Sequence, residues 1–390
     1  MEALQKGILT LIRSAITEQS LPLSAEFDLE QAMPTIVKHG VQTLCYDGAV
    51  RCGISKDIPV MKQLFRSYCQ LLRQSERQMQ AVAHLFEEFD RCGVDYLPLK
   101  GCCMKGLYPK PELRPMGDAD ILIRTEQYHR IRPIVAGLGY EEQVESDHEQ
   151  IWHSAALHLE LHKRLIPSYN KDYYAYFGDG WRLARQQTGS RFEMSPEDTM
   201  VYQFTHFAKH YRDGGIGIRH GADLWVFLRG MQPDEAYVRK ELDRLRLLEF
   251  YDNIRRLLDS WFQDGSADEK TEFISDFMFS GGSWGSRENH VLSDGAKKAS
   301  AAGGTAGGRR RRLLASFFPN LLVMQQKYPV LKTCPFLLPL FWPIRWITAV
   351  LFRRDNLKRQ HREFKMISDR NIETYQQMLD YVGLDFHFKE

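Results

Sequence analysis

The chain lacks an excess of either charge: 52 lysines and arginines face 50 aspartates and glutamates in 390 residues, a formal net charge of +2. That balance excludes a surface built as a coat for polyanions, so stable DNA binding is not expected. A cysteine framework is missing too. The seven cysteines, at positions 45, 52, 69, 92, 102, 103 and 334, are odd in number and include no C-x-x-C spacing. This argues against both a disulfide scaffold and a zinc ribbon, and it fits a reducing cytoplasm. No unbroken apolar run of about twenty residues is present either. The nearest, residues 334–352, is interrupted by Pro335, Pro339, Pro343 and Arg345. It reads as a buried or interfacial helical segment rather than a membrane span. The amino-terminal twenty residues lack a basic stretch followed by an apolar run and a cleavage site, so a first amphipathic helix is expected there, not a secretory signal. No internal repeat is visible.

What is present is an ordinary globular composition, 43% hydrophobic, in a length that suggests about two to three domains. Between residues 61 and 90, Leu64, Phe65, Tyr68, Leu71, Leu72, Met79, Val82, Leu85, Phe86 and Phe89 recur at three- and four-residue steps, which predicts an amphipathic helix stopped by Gly93. Residues 94–99 read as a strand, with Pro98 confining it to a sheet edge or strand end. The string Gly117-Asp118-Ala119-Asp120-Ile121-Leu122-Ile123 reads as a second strand headed by two carboxylates. Thr125 is the expected N-cap of a helix that Gly137 and Gly139 stop. A third strand is expected over 156–165, with Leu157, Leu159 and Leu161 on one side and His158, Glu160 and His162 on the other. Ser195-Pro196-Glu197-Asp198 marks a strong helix start, and the pattern is helical from there on. Residues 281–308, rich in Gly, Ser and Ala, read as a flexible linker. The four arginines at 309–312 follow it, either as a solvated helix entry or as a contact for an anionic partner. The expected segments are an N-terminal helical part (1–60), an α/β core (61–194), a helical domain completing the site (195–280), a linker (281–312) and a C-terminal helical region (313–390).

The informative chemistry is Asp118-x-Asp120 at the head of a strand. Residues two apart on a strand project to one side, so these carboxylates converge on one cation while Ala119 faces away. Hard oxygen ligands suit magnesium, whose remaining ligands come from water and a substrate's phosphates. A neighbouring strand carrying Glu160 would complete a three-carboxylate set able to hold two ions for phosphoryl chemistry. By itself D-x-D is a weak signal, common on surface strands. Its context strengthens it, because a glycine after a strand and before a helix lets backbone N–H groups approach a phosphate.

The string Leu99-Lys100-Gly101, the segment 108–114, the strand carrying Asp118 and Asp120, and Leu159-Glu160-Leu161-His162 resemble the uncharacterised bacterial nucleotidyltransferase family of the DNA polymerase β-like superfamily. The resemblance covers at least residues 60–230. It implies an α+β fold, a small mixed sheet carrying all three acids with flanking helices and a mostly helical C-terminal half. It further implies magnesium, or manganese in its place, held by Asp118, Asp120 and Glu160, and transfer of an NMP group from an NTP such as ATP to an acceptor with release of pyrophosphate. Gly101 and Cys102 would form the phosphate-approach loop. The chain departs from the superfamily at Cys102, where Ser or Gly is usual, and a thiol is a poorer donor to phosphate than a hydroxyl. An inactive nucleotide-binding or regulatory module of the same fold is the alternative.

A second constellation comprises His206, Lys209 and His210 on one helix, a glycine-rich turn, then Arg219 and Asp223 on the next. Related nucleotidyltransferases use a similar lysine, arginine and aspartate to hold the triphosphate; the alternative is a surface ion pair between Arg219 and Asp223 beside a solvated lysine. The metalloprotease reading fails because Phe207 stands where H-E-x-x-H needs glutamate. His158, Glu160 and His162 allow a zinc site, or groups near the metal and substrate. Arg114 and Lys100 would neutralise phosphate, or Arg114 would pair with Glu112 or Asp118. The acceptor is open among a protein side chain, RNA, a small molecule and a saccharide precursor. Peripheral membrane contact by the C-terminal region is a further, less favoured expectation.

Overall fold

The computed structural model describes residues 2–146, 148–168, 170–301, 317–328, 330–352 and 368–384. Three helices open the chain, α1 (Ala3–Thr17), α2 (Leu29–Lys38) and α3 (Gln42–Arg51). Helix α1 buries Ile8, Leu11, Ile12 and Ala15, the face its apolar spacing dictates. Its crossing with α3 is close at Gly48, where an added Cβ would stand 1.9 Å from the Leu11 carbonyl oxygen. Backbone cannot yield as a side-chain tip does. Gly48→Ala is therefore expected to destabilise the chain by about 3 kcal/mol, read as a lower urea midpoint at unchanged slope.

The long helix α4 (Pro59–Cys92) starts with proline in its first turn and ends at Gly93, whose φ of +61° suits glycine. Its C-terminal half delivers Val82, Leu85 and Phe89 to the core, as the periodicity predicts, although Phe65 and Met79 of the same stripe stay exposed. Two polar residues of α4 are buried for a different reason. Gln78 donates to the Met116 carbonyl, and Ser75 accepts from the Lys105 ammonium, so the helix fixes the loop leading to the acids. Lys105 also donates to the Arg114 carbonyl, and burial together with the nearby Arg114 pushes its pKa down to about 8.

Next come β1 (Tyr96–Pro98), the single turn α5 (Gly101–Met104), β2 (Asp118–Ile123), α6 (Tyr128–Gly137), β3 (Glu141–Glu145), β4 (Glu149–His153), β5 (His158–His162), α7 (Lys171–Phe177), β6 (Ala184–Thr188) and β7 (Arg191–Met194). They form one seven-stranded mixed sheet in the order β3-β4-β5-β2-β1-β7-β6. The fold is thus α+β, with helices flanking a mixed sheet and a mostly helical C-terminal half. One face of the sheet packs on α4 and α6: Ala119, Ile121, Ile123, Leu159 and Leu161 meet Leu85, Phe89, Ile131 and Val135. Alternation then sends Asp118, Asp120 and Glu160 to the opposite face.

One local expectation is resolved and one changes. Of the two places open to Pro98, the strand end is the one it takes, and β1 is not an edge but lies between β2 and β7. Proline is tolerated because Pro98 ends the strand and pairing with β7 involves only Tyr96. Thr125 does not cap α6, because it opens a 3-10 turn (Thr125–Gln127) that precedes the helix.

Helices α8 (Pro196–Asp213), α9 (Ile218–Met231), α10 (Glu235–Arg244), α11 (Leu248–Phe262) and α12 (Glu269–Ser280) follow. Ser195 begins α8 by accepting the Asp198 N–H, as its sequence signature predicts. The described residues make two compact units, 2–209 with 216–284, and 210–215 with those described between 285 and 384. In the second unit the linker expectation fails over α13 (Arg287–Ala301). Ser286 accepts the Asn289 N–H at its start, Val291 and Ala296 are buried, and Lys297 pairs with Asp213 at 2.8 Å. Glycine and serine content alone misled there, because a capped helix with one apolar face tolerates both. The glycine run at 303–308 and the arginines at 309–312 lie outside the described residues. The apolar segment near the carboxyl end includes a helix, Leu338–Phe352, with Pro343 inside it. Among the described residues no helix is long and apolar enough to cross a membrane.

Candidate active site

The site is built on the pairing of β2 with β5. These strands run parallel, and their register sets Asp118 against His158 and Asp120 against Glu160. Same-register residues of paired strands share a face, so Asp120 and Glu160 stand side by side with Asp118 two residues back on that face. Oxygens of Asp120 and Glu160 and a nitrogen of His162 lie within 4.8 Å of one another. Asp118 is outside that group but close enough to feel it: burial, followed by the charges of Asp120 and Glu160, raises its carboxyl above the usual range. Like charges held this close favour a cation between them. The all-oxygen donor set of Asp118, Asp120 and Glu160 therefore fits a hard divalent ion.

Asp120 already has two protein partners. The Lys100 ammonium lies 2.6 Å from its Oδ1, and His162 Nε2 lies 2.8 Å from the same oxygen. Burial would raise the Asp120 carboxyl, but Lys100 and His162 hold it below the usual range. Burial would likewise depress Lys100, and the Asp120 charge reverses that, keeping it protonated. His162, although burial opposes its charged form, is raised by hydrogen bonds to Asp120 and Glu160. Lys100 reaches Asp120 from an unusual backbone conformation, φ +44° and ψ −114°, at the junction of β1 with α5. Such a conformation costs a non-glycine residue of order 1–3 kcal/mol and tends to mark functional sites.

A cavity of about 190 Å³ opens beside the acids. Lys100, Gly101, Asp118 and Asp120 line one part of it; Arg114, Arg219 and Asp223 line another; Gln203, His206 and Phe207 of α8 and Trp284 close it. Arg114 is clamped by Asp223 through two hydrogen bonds, each 3.1 Å, and Tyr108 donates to the same carboxylate at 2.7 Å. Neither Glu112 nor Asp118 is the partner of Arg114. The surface pair between Arg219 and Asp223 is also absent, since Asp223 is buried and committed to Arg114 and Tyr108. Arg219 donates to the Pro115 carbonyl, and its buried Nε has no partner among the described residues. Burial and the neighbouring Arg114 lower its pKa. Gly101 is needed where it stands: a Cβ would lie 2.7 Å from Arg114 Nη1.

Three expected members do not line the cavity: Glu160, although it stands beside Asp120 on the same sheet face, Cys102 and Lys209. Cys102 packs on the sheet's hydrophobic core, its N–H donates to Leu99, and burial raises its thiol pKa. The N–H groups of Cys103 and Met104 are spent on the Lys100 carbonyl, so the turn after Gly101 offers little to a phosphate. Lys209 does not line the cavity, and its charge instead depresses His148. Conversely, Gln203 lines the cavity without any motif that would single it out, and Tyr108, inside the segment 108–114, had no role assigned before the fold set it against Asp223. Their place shows only once the chain is folded. A larger cavity of about 920 Å³, lined by residues of α1, α9 and α11, contains none of the acids.

The model of a family described as an uncharacterised nucleotidyltransferase matches residues 25–263. No curated protein and no solved structure matches the chain.

Proposed function

The chain belongs to that uncharacterised nucleotidyltransferase family, and on this premise we propose that it transfers an NMP group from an NTP to an acceptor, in a magnesium-dependent reaction that releases pyrophosphate. The observation that carries the reading is the β2–β5 register, which sets Asp120 beside Glu160 with Asp118 on the same face. Asp118, Asp120 and Glu160 would hold magnesium, with manganese as the substitute, and the ion would supply charge neutralisation where the triphosphate binds. Arg114 and Arg219 give the triphosphate fixed positive charge. Arg114 does so without reorganisation, because Asp223 already orients its guanidinium. Lys100, which lines the cavity while paired with Asp120, would add a further positive charge near the phosphates. Glu160 would either complete the metal's ligands or take the proton of the acceptor hydroxyl as its oxygen attacks the α-phosphorus; the bond to the bridging oxygen breaks and pyrophosphate leaves. The acceptor is a hydroxyl or phosphate on a protein, RNA, small molecule or saccharide. ATP is the first donor to try.

The test is incubation of the chain with each α-labelled NTP, magnesium and candidate acceptors, following label transfer and pyrophosphate. Transfer that the Asp118→Asn, Asp120→Asn double variant does not support is the expected result. Equal behaviour of wild type and variant overturns the assignment.

A specific feature favours a second reading, a nucleotide-binding module without turnover: Lys100 and His162 both close on Asp120 Oδ1, occupying the acid that a metal needs. Calorimetry decides between the two. NTP binding that ignores magnesium, with no product after long incubation, selects the module.

A further inference from the structure

Behind the acids, on the β4–β5 pair, stands a cluster that nucleotidyl transfer does not use. Glu149 at the start of β4 is in register with His162 at the end of β5, and the Lys163 N–H donates to the His148 carbonyl, joining the two segments. His162 Nδ1 lies 3.5 Å from Glu149 Oε2, and His148 Nε2 lies 3.6 Å from the same oxygen. The two imidazole rings meet edge to face with centroids 5.2 Å apart. One donor atom from each of the three residues fits within 4.8 Å.

From this geometry we propose that His148, Glu149 and His162 form a binding site for a borderline divalent transition metal, with zinc as the first candidate. Two nitrogens and one carboxylate oxygen, with a fourth position open, are a zinc-type donor set and a poor one for magnesium. The independent observation is His162 itself. Its side chain is 3% exposed, yet Nδ1 is buried without a hydrogen-bond partner among the described residues. Its other nitrogen, Nε2, sits 2.8 Å from Asp120. A metal-binding histidine is typically arranged this way: a carboxylate holds one ring nitrogen and the opposite nitrogen offers its lone pair. Since the two nitrogens face opposite directions, this ion is distinct from one held by Asp118, Asp120 and Glu160. Burial, aided by the charges of His162 and Lys209, pushes His148 down to about 3, whereas His162, despite its burial, is shifted up by Asp120 and Glu160, so an ion at Nδ1 would have to displace a proton there. Among the described residues the groups within 4 Å of the Glu149 carboxylate are the two imidazoles, and its charge also feels Glu160, Lys100 and Asp120 further off. An ion there would pin the end of β5 and fix the ring that orients Asp120.

The experiment uses the full chain, stripped with a chelator and titrated with zinc against a chromophoric competitor, followed by zinc-edge X-ray absorption of the loaded protein. One tight equivalent with two imidazoles and no sulfur is expected. His148→Ala and Glu149→Gln should each weaken binding roughly a hundredfold, and Asp118→Asn should leave it unchanged. Thermal unfolding without zinc checks that each variant folds; should His148→Ala fail to, the near-isosteric Glu149→Gln carries the test. Absence of tight binding, a sulfur shell, or loss in Asp118→Asn with retention in Glu149→Gln overturns the proposal. None of these readouts depends on nucleotidyl transfer, so the site and the reaction stand or fall separately.

Discussion

Asp120→Asn is expected to lower nucleotidyl transfer roughly a thousandfold, about 4 kcal/mol of transition-state stabilisation. The substitution keeps the shape of a buried side chain and removes one charge. That charge serves two purposes, and the variant exposes both. In the folded chain it neutralises Lys100 at 2.6 Å and accepts from His162 at 2.8 Å; without it a largely buried ammonium loses its counter-ion, at a cost of about 3 kcal/mol. The sign with pH follows from the direction of the shift. Asp120 is held below its unfolded pKa, so its contribution to stability is full above the unfolded value near 3.8 and is lost as pH falls towards the folded one. Asp118 behaves oppositely. Its folded pKa is raised, so its charged form disfavours the folded chain at neutral pH and ceases to do so in acid. In chelator, Asp118→Asn should therefore unfold at a higher temperature than wild type at pH 7, with the gap closing in acid, while Asp120→Asn unfolds at a lower one. Transfer should fall in both. Opposite stability effects with a shared loss of activity separate a catalytic role from simple unfolding; retained transfer in Asp120→Asn, assayed below its unfolding temperature, contradicts the assignment.

The parts of this site that could be read in the sequence are those whose signal is periodic. Alternation over Leu157 to His162 and the apolar tail after Asp120 specify which face each residue takes, and β2 and β5 obey it. Parallel pairing in the register Asp120 to Glu160 is not written locally, because forty residues including α6, β3 and β4 intervene. The resemblance to a known family supplied that adjacency. Cys102 went astray for a related reason: position after a glycine says nothing of which way a side chain turns, and a small apolar thiol gains more from the core than from a polar cavity. Nor could the sequence reveal that Asp223 serves Arg114 rather than Arg219. The i, i+4 spacing within α9 is visible in any helix, whereas the partner 109 residues away becomes a neighbour only through the fold.

That long-range clamp predicts the second large effect. Asp223→Ala removes both acceptors of the Arg114 fork and the acceptor of Tyr108, leaving a guanidinium that is only 9% exposed with no counter-charge. Breaking a buried pair from one side costs about 3–5 kcal/mol, most of it the penalty of the stranded charge. Equilibrium urea unfolding should show that loss, and the double variant Arg114→Leu, Asp223→Leu should recover most of it, because the stranded charge is gone. Transfer should follow a different pattern. If Arg114 presents charge to the triphosphate, the double variant stays inactive although it is stable, with the deficit appearing chiefly in the KM for NTP. Should the stable double variant transfer at the wild-type rate, Arg114 and Asp223 would be a structural strut between the loop before β2 and α9, and the phosphates would have to rely on Lys100 and Arg219.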